Sequence, residues 1–488
     1  MARPALTAWL TAAAGNPPAA GALGAQRAAL SRLLATEHNF ELHGQAAYTV
    51  VYAASAAEAN CALITGAVRR YTVGTRRLPH VITSAGDPPS VLACCRALRA
   101  ERACELTVLP LGRAGAGLGA VDPRHVRAVL RPNTCLVTIA AANADTGIIN
   151  DLRAIVAAVR EGARAIALDS ARTHAHARAR TRVLAHSIPV HSDVTQLMGR
   201  GPFQPAALGL DAWTASFALL GGAPGLAALS VRQSFAIGYG LAPYIGDTSD
   251  CACASASAIG DPEGASSLAA AIAATTAALA GPRPLVRELA AARDALAAAL
   301  SVLFLDDCPA DALPSIDGRS PPGDPPHEGS AEGRAALASG AAVFWVAPLA
   351  APQQVLPNTL LLAVARPGFS AEDASAELAR RGITVGLASA ATAAALNLPA
   401  RLCQGLLRIS VGDTRVFADA QRLPELIMIL RTVIWGSHVR SSRSSRSSRR
   451  SSRSSRSSRS SRSSRSSRHS SRSSRSSRSS RSSSPEGP

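Results

Sequence analysis

The sequence predicts an α/β fold, with a large domain on a mostly parallel sheet followed by a smaller α+β domain. Three observations carry that prediction. Between Tyr48 and Val231, short apolar runs rich in β-branched residues alternate with longer helical segments, the pattern left by parallel strands and their crossover helices. Two alanine-rich helical stretches, Ala265–Leu279 and Pro282–Leu300, then separate that alternation from a second, shorter set of strands. The chain has 488 residues and is 47% apolar, enough to bury a core across two or three domains.

The elements follow in order. Residues 1–25 are rich in Ala, Gly and Pro and read as a flexible N-terminus, and residues 25–37 have the spacing of an amphipathic helix entering the large domain, 26–258. Tyr48–Ala54 reads as a buried strand, with Ser55 capping the helix after it. Further strands are expected at the start of His80–Leu92, at Leu106–Pro110 and at Cys135–Ile139. The intervening G-R-A-G-A-G-L-G-A lacks a G-K-[ST] and reads as a connecting loop before the helix at Val121-Asp122-Pro123, not as a phosphate loop. An arginine- and histidine-bearing stretch lies between Val159 and His191. Its His174 and His176 have no carboxylate or cysteine cluster beside them and read as a solvated loop, so no metal is expected. The small domain, 259–435, contains a flexible Pro/Gly/Asp/Ser insertion at 306–332. It resumes with strands at Val343–Val346 and Leu360–Ala363, and with a helix capped by Ser370 in an S-x-x-D pattern.

Charge is distributed unevenly. The net charge is +18, but residues 440–488 hold 15 arginines against one acid, Glu486, so fourteen of those charges belong to an R-S-S repeat and four to the rest. That tail, within the disordered segment 436–488, has no apolar residue to bury. It reads either as a repeat expansion without a selected role or as a polyanion-binding, nuclear-import or phosphorylation-regulated segment. Nine cysteines without a C-x-x-C, and no apolar run of membrane-spanning length, fit a soluble protein of a reducing interior, cytoplasmic or nuclear, with no membrane partner.

H-S-D-V-T-Q, His191–Gln196, and the stretch continuing to Arg232 resemble the cofactor-binding centre of the NifS-like cysteine desulfurases, a branch of the class V aminotransferases. Gly209, Asp211, Ser216, Gly222, Gly225, Ala228, Leu229 and Arg232 match without a gap, and Asp193 fits better than its rival Asp169 because Gln196 and these matches follow it in register. Glu58-Ala59-Asn60 resembles the family's A-T-E-A-N-N turn, with Ala57 at the threonine. Asn143 to Gly147 resembles N-N-E-x-G, with Ala144 at the second asparagine, and Arg408 lies in an R-x-S-x-G strand.

The resemblance covers roughly residues 45 to 430. It implies the pyridoxal phosphate (PLP)-dependent transferase fold type I and a homodimer with sites at the interface. It implies cofactor-binding positions at Glu58, Asn143, Asp193 and Gln196, and a substrate-carboxylate clamp at Arg408. It also exposes departures. The family's PLP lysine falls on Leu219, its persulfide cysteine on Ala391 and its ring-stacking histidine on Pro88. The chain contains no lysine at all, and an internal aldimine needs a primary amine. The resemblance therefore implies no catalytic residue and no bound cofactor, and a catalytically inactive homologue that acts by binding. Two alternatives stay open: a residual PLP-binding class V enzyme, and a nucleic-acid or nuclear interaction protein working through the tail.

Overall fold

The computed structural model describes residues 25–26, 28–34, 48–112, 119–173, 188–232, 262–280, 286–305, 342–345, 355–365, 368–396, 404–412 and 422–435, all within one unit, residues 1–436. Residues 1–24, His174, His176, the expected domain boundary at 258/259, the insertion at 306–332 and the arginine–serine segment lie outside the described residues.

Residues 28–34 form helix α1, whose Leu30 and Leu34 are fully buried. Strand β1 (Tyr48–Ala53) ends at a reciprocal cap: the Ser55 hydroxyl accepts from the Glu58 N–H at 3.1 Å, and the Glu58 carboxylate accepts from the Ala54 N–H at 2.8 Å. This starts α2 (Ala56–Thr75), and the alternation then runs β2 (His80–Ser84), α3 (Pro89–Ala100), β3 (Glu105–Leu109), α4 (Pro123–Ala128), β4 (Thr134–Thr138), α5 (Leu152–Thr173) and β5 (Val190–Asp193). A short α6 (Pro205–Leu208), β6 (Ala212–Ser216), a 3-10 turn at Ala218–Leu220 and β7 (Ala227–Arg232) complete the large layer. The first part of the arginine- and histidine-bearing stretch after Val159 is helical, since α5 continues to Thr173, so Asp169 is helical while Asp193 ends a strand.

The seven strands lie in the order β1-β7-β6-β5-β4-β2-β3. β2 to β6 pair in parallel, and β7 is antiparallel to both its neighbours, so the sheet is mostly parallel as expected. Helices cover it, and every position of β2, β4 and β5 is buried, as a doubly covered sheet requires. Two fully buried histidines therefore need partners inside the sheet. His80 lies between Thr134 and Thr107 at 3.0 and 2.8 Å, and His191 between Thr138 and Thr214 at 2.8 and 3.1 Å. Burial pushes the His80 imidazole down to about 4 and that of His191 down to about 3, so both are neutral near pH 7.

After α7 (Pro262–Ala280) and α8 (Val286–Leu305), a four-stranded antiparallel sheet in the order β10-β11-β9-β8 forms from β8 (Ala342–Trp345), β9 (Thr359–Ala365), β10 (Gly386–Leu387) and β11 (Leu406–Ser410). Helix α9 (Ala371–Arg380) begins at Ser370, whose hydroxyl accepts from the Asp373 N–H as the S-x-x-D pattern predicts. The short α10 (Ala390–Ala395) and the C-terminal α11 (Arg422–Trp435) complete this layer. It has its own core, in which Leu296 and Leu300 of α8 and Leu430 and Ile434 of α11 pack on Leu362 of β9 and Leu407 of β11. The loop after β4 reaches it directly, since the Leu356 N–H donates to the Gly147 carbonyl at 2.7 Å. Gly147 has φ +75°, and a Cβ there would lie 2.9 Å from the Thr359 Cβ, so this close approach requires glycine. Among the described residues no helix is long and apolar enough to cross a membrane.

Candidate functional site

Ligands of open α/β sheets bind beyond the carboxyl ends of the parallel strands. Asp193, the last residue of β5, is buried there. Its carboxylate accepts from the Asn60 Nδ2 at 2.8 Å and from the Thr195 N–H at 2.9 Å. Burial raises its pKa above the usual carboxylate range, and those hydrogen bonds only partly oppose it. Asn60 projects from the first turns of α2, and its Oδ1 is buried without a hydrogen-bond partner. Two strands away, after β2, the Asp87 carboxylate accepts from Thr83 Oγ1 at 2.5 Å, the Ser84 N–H at 2.7 Å and the Ala140 N–H at 2.5 Å, and burial pushes it up to about 6. Asp87 thereby fixes the turn into α3, which opens after Pro88.

The residues expected to contact a cofactor divide. Asp193 faces this site. Glu58 instead caps its own helix, through Ala54. Asn143 structures its own loop: its Nδ2 donates to the Gly86 carbonyl at 2.9 Å, and its Oδ1 accepts from the N–H groups of Asp145 and Thr146 at 3.0 and 2.8 Å. The Gln196 Oε1 accepts from Arg200 Nη1 at 3.0 Å.

Arg408 on β11 meets Asp145. Its Nη1 lies 3.2 Å from Asp145 Oδ1 and 3.3 Å from the Ala144 carbonyl, while its Nε is buried without a partner. Gly386 on β10 packs flat against this guanidinium, and a Cβ there would stand 2.7 Å from Nη2. The other Asp145 oxygen accepts from the Ser389 N–H at 2.9 Å, the Ser389 hydroxyl at 3.0 Å and the Thr392 hydroxyl at 2.6 Å, joining the large layer to the start of α10. Arg200 stands close to Arg408. Burial pushes Arg200 down to about 10, and the like charge of Arg408 acts in the same direction. Two guanidiniums are thus gathered, of which Arg408 is ion-paired to Asp145 while Arg200 donates to Gln196.

Sequence reasoning missed Asn60 as the partner of Asp193, Arg200, and the hub role of Asp145. Two signals were present. Arg200 lies four residues after Gln196 on one turn, and Ser389-x-x-Thr392 has the spacing of an N-cap that presents hydroxyls to a neighbour. Leu219 lies in the 3-10 turn and is 46% exposed, and Ala391 lies in the first turn of α10.

The aminotransferase class-V family model matches residues 39–185, the stretch that carries β1 to β4 with Asn60, Asp87, Asn143 and Asp145. A NifS-like protein of African swine fever virus is 34% identical over 157 residues, 32% of this chain and 34% of the relative. A solved NifS-like protein superposes with a TM-score of 0.58 at 18% identity, covering 88% of this chain and 94% of its own. Residues 39–185 are thus similar to the class V aminotransferases, and the solved NifS-like structure shares the fold. The cysteine desulfurase IscS of Mannheimia succiniciproducens is 30% identical over 200 residues, 41% of this chain and 42% of the relative. The chain thus spans about a third of the length of the viral relative it matches, while the NifS-like fold extends over nearly all of it.

The family is PLP-dependent, and the residues present can be compared with what a lysine-held PLP needs. They do not fit it. No side chain in the sequence carries a primary amine, Leu219 offers only an apolar group to the turn, and Pro88 has no aromatic face to lay on a ring. Asp193, which would meet a pyridine nitrogen, already holds Asn60 and Thr195.

Proposed function

We propose that this chain is a non-catalytic homologue of the NifS-like cysteine desulfurases that works by binding, in a homodimer, with a small anion as its ligand. The observation that carries this reading is the complete absence of lysine from the sequence, since arginine stays protonated and forms no Schiff base under ordinary conditions. Ala391 at the family's cysteine position supports it from a second covalent step. Arg200 and Arg408 support the ligand class, because two neighbouring buried or half-buried guanidiniums, of which Arg408 alone is ion-paired to Asp145, favour an incoming carboxylate or phosphate. The purified protein should release neither alanine nor sulfide from cysteine and should show no aldimine absorbance with PLP. Cysteine-dependent alanine formation that borohydride abolishes overturns the reading. The double variant Leu219→Lys with Ala391→Cys is expected to gain a weak aldimine absorbance, reduced because Pro88 and Ala57 remain.

A second reading is favoured by the charge map. With 15 arginines and one acid in residues 440–488, we propose that this segment binds polyanions, nucleic acid among them, through counterion release with little base discrimination. Removing it should leave the melting temperature of the remainder unchanged and abolish most RNA affinity. Affinity of the full chain should fall by roughly 10³-fold or more between 50 and 200 mM salt if six to ten arginines meet phosphates. Equal titration curves for the two proteins would place the binding surface elsewhere.

A further inference from the structure

Outside the strand-end site, the described thiols gather around α2 and α3. Cys95, Cys104 and Cys135 are buried in one apolar cluster with Ile64, Val81 and Val91, whereas Cys61 and Cys94 are half-buried. Cys61 lies one turn before Thr65 on α2, so both side chains leave the same face of the helix. That face looks at α3: Thr65 Oγ1 is 3.9 Å from Cys94 Sγ, and the Cys61 and Cys94 thiols are near enough that each is the largest influence on the other's titration. Thr65 also lines an open surface cavity of about 640 Å³ rimmed by Arg69, Arg76, Arg77 and Arg102, which brings solvent within a helical turn of the pair.

We propose that Cys61 and Cys94 form a redox-active dithiol, a modification site at which a peroxide is reduced and a disulfide closes between α2 and α3. Neither the strand-end site nor its proposed ligand enters this inference. The two thiols have different roles. The neighbouring Cys94 holds the Cys61 thiol down at about 7, so Cys61 carries much of the thiolate at neutral pH. Cys94 is pushed up by Cys61, and burial pushes Cys95 up to about 12 and Cys104 up to about 11. The Cys61 thiolate attacks one peroxide oxygen: an S–O bond forms, the O–O bond breaks, and hydroxide leaves. The Cys94 sulfur then displaces the oxygen from the Cys61 sulfenic acid. The S–S bond forms, and the departing hydroxide takes the Cys94 proton as water. Two thiols lose two electrons, and one peroxide becomes two waters. The disulfide starts one residue from Asn60 and so pins the turn of α2 that supports Asp193.

The test is peptide mapping of the full chain after a limiting dose of hydrogen peroxide. The expected product is a Cys61–Cys94 cross-link with loss of two hydrogens, reversed by dithiothreitol. In Cys94→Ser, Cys61 should stop at sulfenic acid and take a dimedone label, and Cys61→Ser should lose both label and cross-link. The proposal is overturned if both residues stay as thiols while other cysteines oxidise, or if either is found joined to a different cysteine. A dimedone label of equal strength in Cys61→Ser overturns it as well. The mapping uses the unaltered chain, so a variant that fails to fold does not protect the proposal.

Discussion

Acidification from pH 6.5 to pH 4 is expected to remove about 3 kcal/mol of folding stability through His80, His191 and Asp87 taken together, a large share of what a native protein has. The two sheet histidines cause it. Their folded values, about 4 for His80 and about 3 for His191, lie below the ordinary 6.5, so below pH 6.5 the unfolded chain takes up protons that the folded chain refuses. Each histidine then removes up to about 1.4 kcal/mol per pH unit, less near the two ends of the window, which makes about 5 kcal/mol for the pair. Asp87 works the other way. Its folded value of about 6 exceeds the ordinary 3.8, so it takes up its proton earlier when folded and returns about 2 kcal/mol. Asp193, also raised by burial, acts in the direction of Asp87. Urea midpoints at pH 6.5, 5.5 and 4.5 measure the slope. His191→Asn, which keeps a donor and an acceptor but cannot titrate, should flatten it. A stability that stays level or rises on acidification refutes this account.

Replacing Asp145 with Ala is expected to destabilise the fold by about 3 kcal/mol, because it leaves Arg408 half-buried and uncompensated near Arg200. The same change takes away the acceptor for Ser389 and Thr392, so the start of α10 loosens as well. Asp145→Asn should cost less, since its amide still accepts one of these bonds. Combining Asp145→Ala with Arg408→Met removes the stranded charge and should recover part of the loss. A double variant no more stable than Asp145→Ala alone would mean that the hydroxyl contacts, and not the ion pair, hold the two layers together.

The fold was legible because its signals are local. Ser55, Asp122 and Ser370 each precede a helix they cap, and the β-branched runs at Val50, Val81 and Val137 fall on strands. The helix running on to Thr173 was not read from the sequence, because the arginine-bearing stretch after Val159 lacks a clear apolar stripe, while a helix already nucleated upstream extends into it. The site was legible only where one residue acts alone. Asp193 could be placed from its motif, but Glu58 and Asn143 could not be distinguished from ligand contacts, because their partners are their own backbone neighbours. Asp145 was the hardest to read. Its partners Ser389, Thr392 and Arg408 lie more than 240 positions away, and no spacing rule spans such a gap.

The antiparallel strand next to the edge of the large sheet also sets an order of events on the ribosome. Among the described residues β1 pairs with β7 alone, and the hydrogen bond from Arg232 to the Tyr48 hydroxyl closes a separation of 184 residues. At about 5–20 residues per second of synthesis, the first strand waits roughly 10–40 s for its partner. During that interval the apolar face of α2 and the inward residues of β1 have nothing of this sheet edge to cover them. A nascent chain halted before residue 227 therefore presents an unpaired strand edge, a natural substrate for chaperones and for aggregation.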